Sequence, residues 1–92
     1  MPTIRLPGPL RRYSGGAASL LVAGATVGAA LDAAFGLYPE LRPRLLDDRG
    51  EVHRHLAVFR NGTELPRSGL AQATLGAEDT LTLLEAVGGG SG

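Results

Sequence analysis

Short apolar runs recur along this chain, and their spacing predicts four β-strands. Residues 2–6 alternate apolar with polar side chains, and residues 18–23 form an apolar run bounded by glycines. Residues 55–60 and 80–85 are two further apolar runs, the second of which carries threonines. Runs of this length, closed by turn residues, are typical of strands rather than helices. We expect residues 18–23 to be a buried strand that pairs antiparallel with residues 2–6.

Turn signals separate these runs. Asn61-Gly62 follows the third strand directly and is the strongest hairpin signal in the chain. Residues 63–65 are therefore predicted to begin a short return strand. Residues 10–16 are predicted to be a loop that returns the chain, and residues 70–79 show no regular pattern.

One segment has the spacing of a helix. Thr26 is a good N-cap, and the apolar residues that follow it fall on one helical face: Val27, Leu31, Ala34, Phe35 and Tyr38. Pro39 is expected to end this helix, because proline does not fit a helix interior. Residues 40–46 are predicted to add a turn or two of helix, before a polar break at residues 47–51.

The order of these elements is strand, strand, helix, strand, short strand, strand. The first two strands would form a hairpin, and the last strand would pair parallel to the first in the centre of the sheet. We therefore expect an α+β, β-grasp fold, with a mixed sheet of four to five strands and one main helix packed on one face. Residues 1–87 are interpreted as the domain and residues 88–92 as a flexible glycine-rich tail.

Composition narrows the class of protein. The chain has 92 residues, of which 43% are hydrophobic, and its formal net charge is zero. A balanced charge argues against a nucleic-acid or polybasic membrane role. All nine basic residues are arginine, and cysteine is absent, which excludes disulfides, thiolate metal sites and cysteine nucleophiles. No apolar segment approaches the roughly 20 residues that span a bilayer, and no secretory signal is visible, so a cytoplasmic protein is expected.

The end of the chain carries the strongest functional signal. The predicted last strand runs into a glycine-rich tail that includes Gly88, Gly89 and Gly90. Glycine raises the entropic cost of ordering, so this tail should be mobile. Such a tail is useful when a C-terminal carboxylate must enter a narrow active site, because no Cβ atoms obstruct its approach.

The element order, the hairpin signal after Val58-Phe59-Arg60 and the ending of residues 83–90 resemble the ubiquitin-like sulfur-carrier family of the MoaD/ThiS type. Residues 7–11, 14–16 and 45–48 look most similar to its cysteine-biosynthesis branch. The resemblance implies a carrier that is not itself an enzyme, although it could be the small subunit of a synthase complex. On this resemblance the carrier would bind no cofactor. An E1-like adenylyltransferase/sulfurtransferase would use ATP to adenylate the C-terminal glycine and convert it to a thiocarboxylate, which a downstream synthase receives.

The family ends in Gly-Gly, whereas this chain continues through Ser91-Gly92. The resemblance aligns Gly89-Gly90 with the reactive pair, so Gly90 would be the adenylated residue after a zinc metalloprotease cuts between Gly90 and Ser91. Alternatively, Gly92 is the working terminus, or the final residues include an artificial linker.

A docking patch for the activating enzyme is predicted at Leu84, Val87 and Phe59. Alternation along the last strand turns Leu81 and Leu83 towards the core and leaves Leu84 exposed near the tail, unless the register slips by one residue.

The other clusters of polar residues carry no recognisable catalytic or metal-binding pattern. His53 and His55 would share one strand face as an exposed pair, and no metal site is expected because a third ligand is missing. Arg11, Arg12, Arg42 and Arg44 are interpreted as a solvated face in preference to a contact for an acidic partner.

Two other functions remain open. The chain could be a ubiquitin-like modifier that joins its C-terminal glycine to lysines of target proteins. It could also be a binding module of the same fold with an inert tail. If adenylation depends on the terminal glycine, the chain is a sulfur carrier or a modifier, and the binding module with an inert tail is excluded.

Overall fold

The computed structural model describes residues 1–85. That part of the chain contains nine helices and strands. In chain order they are β1 (Thr3–Arg5), a first 3₁₀ helix (Gly8–Ser14), β2 (Ser19–Leu21), α1 (Val27–Leu37), α2 (Leu41–Leu45), β3 (Leu56–Arg60), β4 (Thr63–Glu64), a second 3₁₀ helix (Leu70–Gln72) and β5 (Thr80–Glu85). The predicted domain boundary at residue 87 and the predicted tail lie outside the described residues.

The five strands form one mixed sheet in the order β2-β1-β5-β3-β4. β5 pairs parallel with β1 and antiparallel with β3, so the last strand occupies the centre. β1 and β2 form the expected antiparallel pair, and β4 returns along β3 after Asn61-Gly62. This topology confirms the predicted β-grasp arrangement.

The core lies between α1 and one face of the sheet. Ile4, Leu81 and Leu83 are almost completely buried, and α1 packs its apolar stripe against this layer with Val27, Ala30, Leu31, Ala34 and Phe35. The expected inward orientation of Leu81 and Leu83 is therefore confirmed. The predicted N-cap is confirmed as well, because Thr26 Oγ1 accepts a hydrogen bond from the Ala29 N–H at 3.1 Å.

Three sequence interpretations need correction. Residues 10–16 are not simply a loop, because most of them belong to the first 3₁₀ helix, whose end is held by Ser14 Oγ bonds to the Arg11 and Ala17 carbonyls. Residues 18–23 are not buried throughout: Leu20 is buried, but Leu21 is 62% exposed. Residues 70–79 include the second 3₁₀ helix.

A hydrogen-bonded turn closes the end of the sheet where β5 begins. The Asn61 side chain donates to Asp79 Oδ1 at 2.8 Å and accepts from the Thr80 N–H at 2.8 Å. The Gly76 N–H donates to Asp79 Oδ2 at 2.7 Å. These bonds favour the charged carboxylate, so the Gly76 bond first and the Asn61 bond second lower the pKa of Asp79.

Asp79→Asn should reduce stability near neutral pH and also flatten its dependence on acid. Because the folded-state pKa of Asp79 lies below its ordinary value, its contribution is present above pH about 4 and is lost as the pH falls through the folded pKa. Melting temperatures at pH 7 and pH 2 test this, with Asp48→Asn as the matched control. If the melting temperature falls equally between pH 7 and pH 2 in Asp79→Asn and in the wild-type protein, Asp79 is not the source of this acid dependence.

Gly24→Ala should destabilise the fold by at least about 2 kcal/mol. Gly24 has φ +155°, and a Cβ there would lie 2.6 Å from the backbone nitrogen of Ala30 in α1, so backbone would have to move. Gly36→Ala, inside α1, is the control, because a Cβ there meets nothing within 4 Å. That exposed helical site should gain up to about 1 kcal/mol. Urea denaturation measures the free energy of unfolding of both variants, which should fall for Gly24→Ala and rise for Gly36→Ala.

Candidate functional site

The sheet face opposite the core presents the outward side chains of β1, β5 and β3. The register places Arg5 opposite Thr82, and Thr82 opposite Phe59. Leu84 lies opposite Ala57 in the next outward row. Since alternate residues share a face, these side chains form one surface beside the end of β5.

Two of the three predicted docking residues meet on this surface. Leu84 is 46% exposed, which confirms that it faces outward and excludes the one-residue slip in register. Phe59 is half-buried and occupies the diagonal position to Leu84 across the β3–β5 pair, a separation that allows large side chains to interact. Val87 lies outside the described residues, and a docking role for the patch stays a prediction.

Sequence reasoning missed Ala57 and Arg5 as members of this surface. Each lies on the outward face through strand alternation, which the sequence does contain. Their placement beside Leu84 and Phe59 depends on how β5 aligns with strands that are distant in sequence. No local signal in the chain specifies that register.

We call one end of the sheet the tail end, because β5 finishes there and the tail follows β5 in the sequence. It is defined by Arg5, where β1 leaves the sheet, and by Glu85, the last residue of β5, paired with Leu56 at the start of β3. The register of β1 with β5 stops at the Arg5–Thr82 pair. The last residues of β5 therefore pair with β3 beyond the end of β1. Gly88, Gly89, Gly90, Ser91 and Gly92, the predicted reactive and processing residues, lie outside the described residues.

Arg67 fixes the backbone at the tail end. Its guanidinium donates to the carbonyls of Val52 at 2.7 Å, His53 at 2.9 Å and Arg54 at 3.2 Å. It also donates to the carbonyl of Leu56, the residue that pairs with Glu85. One planar cation therefore binds several carbonyls of the segment that leads into β3, which suits the fork of donors that arginine carries.

The two histidines belong to this same segment and not to a strand. β3 begins at Leu56, so the prediction that His53 and His55 share a strand face is wrong. Their rings instead stack, with centroids 5.3 Å apart, and His53 Nε2 lies 2.9 Å from the Pro43 carbonyl. Within residues 1–85 no group of three or more His, Asp or Glu side chains could hold a metal.

The predicted polar break at residues 47–51 is a tight turn built on Asp47. Its carboxylate accepts hydrogen bonds from the backbone N–H groups of Glu51 at 3.0 Å and Arg49 at 2.8 Å. The Glu51 bond is the largest of the causes that lower the pKa of Asp47. The Asp47 carboxylate is engaged in hydrogen bonds within the turn, so its lowered pKa has a structural explanation.

Within residues 1–85, no helix is long and apolar enough to cross a membrane.

The sheet order, the central parallel pair and the single core layer define a β-grasp, ubiquitin-like domain. The chain belongs to the ThiS family, whose model matches residues 4–90.

Individual relatives agree in sequence and in structure. The sulfur carrier protein CysO of Mycobacterium tuberculosis is 31% identical over 90 residues, covering 96% of this chain and 97% of its own. Small archaeal modifier protein 1 of Haloferax volcanii is 46% identical over 66 residues, covering 72% of this chain and 71% of its own. A chain in the crystal structure of the Amycolatopsis orientalis BexX/CysO complex superposes with a TM-score of 0.86 at 33% identity, covering 98% of this chain and all of that one. The resemblance to sulfur carriers is thereby confirmed.

Arg67→Ala should destabilise the domain by about 2 kcal/mol, because it leaves several carbonyls of one segment without their charged donor. Arg67→Lys should recover only part of this loss, since an ammonium group cannot reproduce the planar fork. Urea denaturation measures the change, and Arg54→Ala is the control, because its exposed side chain makes none of these bonds. Equal stability of Arg67→Ala and Arg54→Ala would contradict the role of Arg67.

Proposed function

We propose that this chain is a sulfur carrier whose C-terminal glycine is adenylated and then converted to a thiocarboxylate. The observation that carries the proposal is the ThiS-family match, which extends from the first strand through residue 90. It includes the glycines that follow β5 and stops before Ser91, which supports Gly90 as the working residue.

The chemistry needs no side chain of the carrier. A carboxylate oxygen of the terminal glycine attacks the α-phosphorus of ATP, which releases pyrophosphate and leaves an acyl adenylate. Hydrosulfide supplied at the activating enzyme then attacks the acyl carbon, AMP departs, and loss of the S–H proton leaves the thiocarboxylate. The absence of cysteine is compatible with this cycle, because the sulfur is carried on the main-chain terminus. The chain acts as a substrate and carrier, and the catalytic groups belong to its partners.

Three partners follow from this cycle: an E1-like activating enzyme, a synthase that receives the sulfur, and a zinc metalloprotease that removes Ser91-Gly92. The CysO chain from Amycolatopsis orientalis is found in a complex with BexX, which supports a partner that binds the carrier directly. The patch around Leu84 and Phe59 is the surface we assign to the activating enzyme, because Leu84 is an exposed apolar side chain, Phe59 is half-buried beside it, and both lie close to the end of β5. We assign the cycle to the cytoplasm, where ATP is supplied.

A second candidate function is protein modification. Its support is the 46% identity to small archaeal modifier protein 1. Both functions begin with adenylation of the same glycine, but they differ in product. A modifier forms isopeptide conjugates of high mass, whereas a carrier gains only the difference between sulfur and oxygen.

Intact mass of the protein isolated from its native cell distinguishes these outcomes. We expect a species that has lost Ser91 and Gly92 and in which one oxygen is replaced by sulfur. The matching assay is pyrophosphate exchange by the activating enzyme on chains that end at residue 87, 90 or 92. Exchange should require the chain that ends at Gly90. Exchange on the full chain without any trimming would instead assign the chemistry to Gly92, and exchange on none would contradict adenylation.

Leu84→Glu should raise the KM of the activating enzyme for the carrier roughly tenfold or more, because a charge replaces an exposed apolar contact. Folding should be unchanged, since the side chain lies outside the core. Leu21→Glu is the matched control: Leu21 is also an exposed leucine on the outward face, but it pairs with Thr3 at the opposite end of the sheet. An equal effect of both substitutions would argue against a specific patch.

A further inference from the structure

Two arginines from separate elements converge on one tyrosine. Arg44 in α2 places its guanidinium carbon 4.4 Å from the centroid of the Tyr13 ring, and Arg12 places its own 5.6 Å from the same centroid. Both distances lie within the range of cation–π contacts. The two guanidinium carbons are therefore no farther apart than the sum of those two distances. We call Arg12, Tyr13 and Arg44 the Tyr13 cluster.

Neither arginine of this cluster forms an ion pair with an acidic side chain in the part of the chain that the structure describes. Among residues 1–85 the ion pair that forms is Arg42 with Asp32, at 3.9 Å, and neither residue belongs to the cluster. Arg12 and Arg44 are exposed, whereas Tyr13 is half-buried. A neutral ring holds the cations in place without cancelling their charge, so the cluster presents a local positive potential on a chain whose net charge is zero.

The fold places this cluster at the tail end of the sheet. The first 3₁₀ helix, which carries Arg12 and Tyr13, begins shortly after β1 leaves the sheet at Arg5. Because β1 and β5 are parallel, that end is also where β5 finishes. α2 packs against the 3₁₀ helix, and the Leu45 carbonyl accepts from the His53 N–H at 3.0 Å, which links α2 to the segment that Arg67 binds.

We propose that the Tyr13 cluster docks a short acidic segment of the enzyme that acts on the tail; the identity of that enzyme rests on the proposed function. Two guanidinium groups fixed over one ring suit two carboxylates, because each can form paired hydrogen bonds with a carboxylate. Two cations are too few to follow a nucleic-acid backbone, which requires a longer basic stripe. For Arg12 and Arg44 the proposal takes up the acidic-partner contact that was the alternative to a solvated face, and the exposure of both side chains leaves them accessible to such a partner.

The first test uses hexaglutamate as the probe and the full chain labelled with ¹⁵N. The side-chain Nε–Hε signals of Arg12 and Arg44 should shift and saturate. The double variant Arg12→Gln/Arg44→Gln should weaken binding at least about fivefold, and Arg49→Gln/Arg54→Gln, with the same change in net charge, should weaken it less than about twofold. Equal weakening by the two double variants would mean general charge attraction and would overturn the proposal.

Two other probes complete this test. Inorganic phosphate that shifts the same signals as strongly as hexaglutamate would show a free-anion site and overturn peptide docking. Duplex DNA that binds more tightly than hexaglutamate would overturn it in favour of nucleic acid. Melting temperatures of both double variants report folding, and single Arg12→Gln, at an exposed position, should reproduce part of the loss if the double variant is unstable.

The second test uses the activating enzyme in pyrophosphate exchange. Arg12→Gln/Arg44→Gln should raise KM at least about fivefold at low salt with kcat unchanged, and high salt should shrink the difference. Arg49→Gln/Arg54→Gln should behave as the wild-type chain. An unchanged KM in the cluster variant overturns docking on this enzyme. If the wild-type chain supports no exchange at all, the proposed function fails, while the hexaglutamate titration still decides whether the cluster binds acidic peptides.

Discussion

The parallel pairing of β1 with β5 is the constraint on which the rest of this structure depends. It places the last strand in the centre of the sheet, where Leu81 and Leu83 are almost completely buried beneath α1. A central strand has partners on both sides, and burial of its leucines removes apolar surface from water, so β5 is held firmly. The neighbouring pairing of β5 with β3 fixes the position of Glu85, the residue from which the tail continues in sequence. A glycine-rich terminus can thus be presented from a rigid base.

The tail end of the sheet combines three features that the fold brings together. Arg67 fixes the segment before β3, and β3 in turn pairs with Glu85 at the root of the tail. The exposed Leu84 and the half-buried Phe59 provide an apolar surface on the outward face, and the Tyr13 cluster adds positive charge at the same end. A partner that approaches the tail would therefore meet an apolar surface and a basic cluster, which recognise different chemistry and so favour one orientation of binding.

Chemistry and scaffold are separated in this protein. The two carboxyl groups with lowered pKa, Asp47 and Asp79, are both explained by hydrogen bonds in turns. The proposed reaction uses the terminal carboxylate, activated by a partner enzyme. A domain with this task needs a stable body, a defined exit for the tail and surfaces that its partners can distinguish, and membership in the ThiS family is consistent with each of these.

Local patterns in the sequence were sufficient to predict the strands, the Thr26 cap and the hairpin turn. These features depend on residues close together in the chain, such as the Asn61-Gly62 turn or the period of the α1 stripe. The 3₁₀ helix at Gly8–Ser14 was missed because its bonds come from Ser14 and a few backbone groups, which leave no periodic signal. Only the tertiary structure decided the register of β5, the carbonyl contacts of Arg67 and the meeting of Arg12 with Arg44 on Tyr13. Each of these joins segments that are distant in sequence or lack a local signature, so their geometry is set by packing in three dimensions.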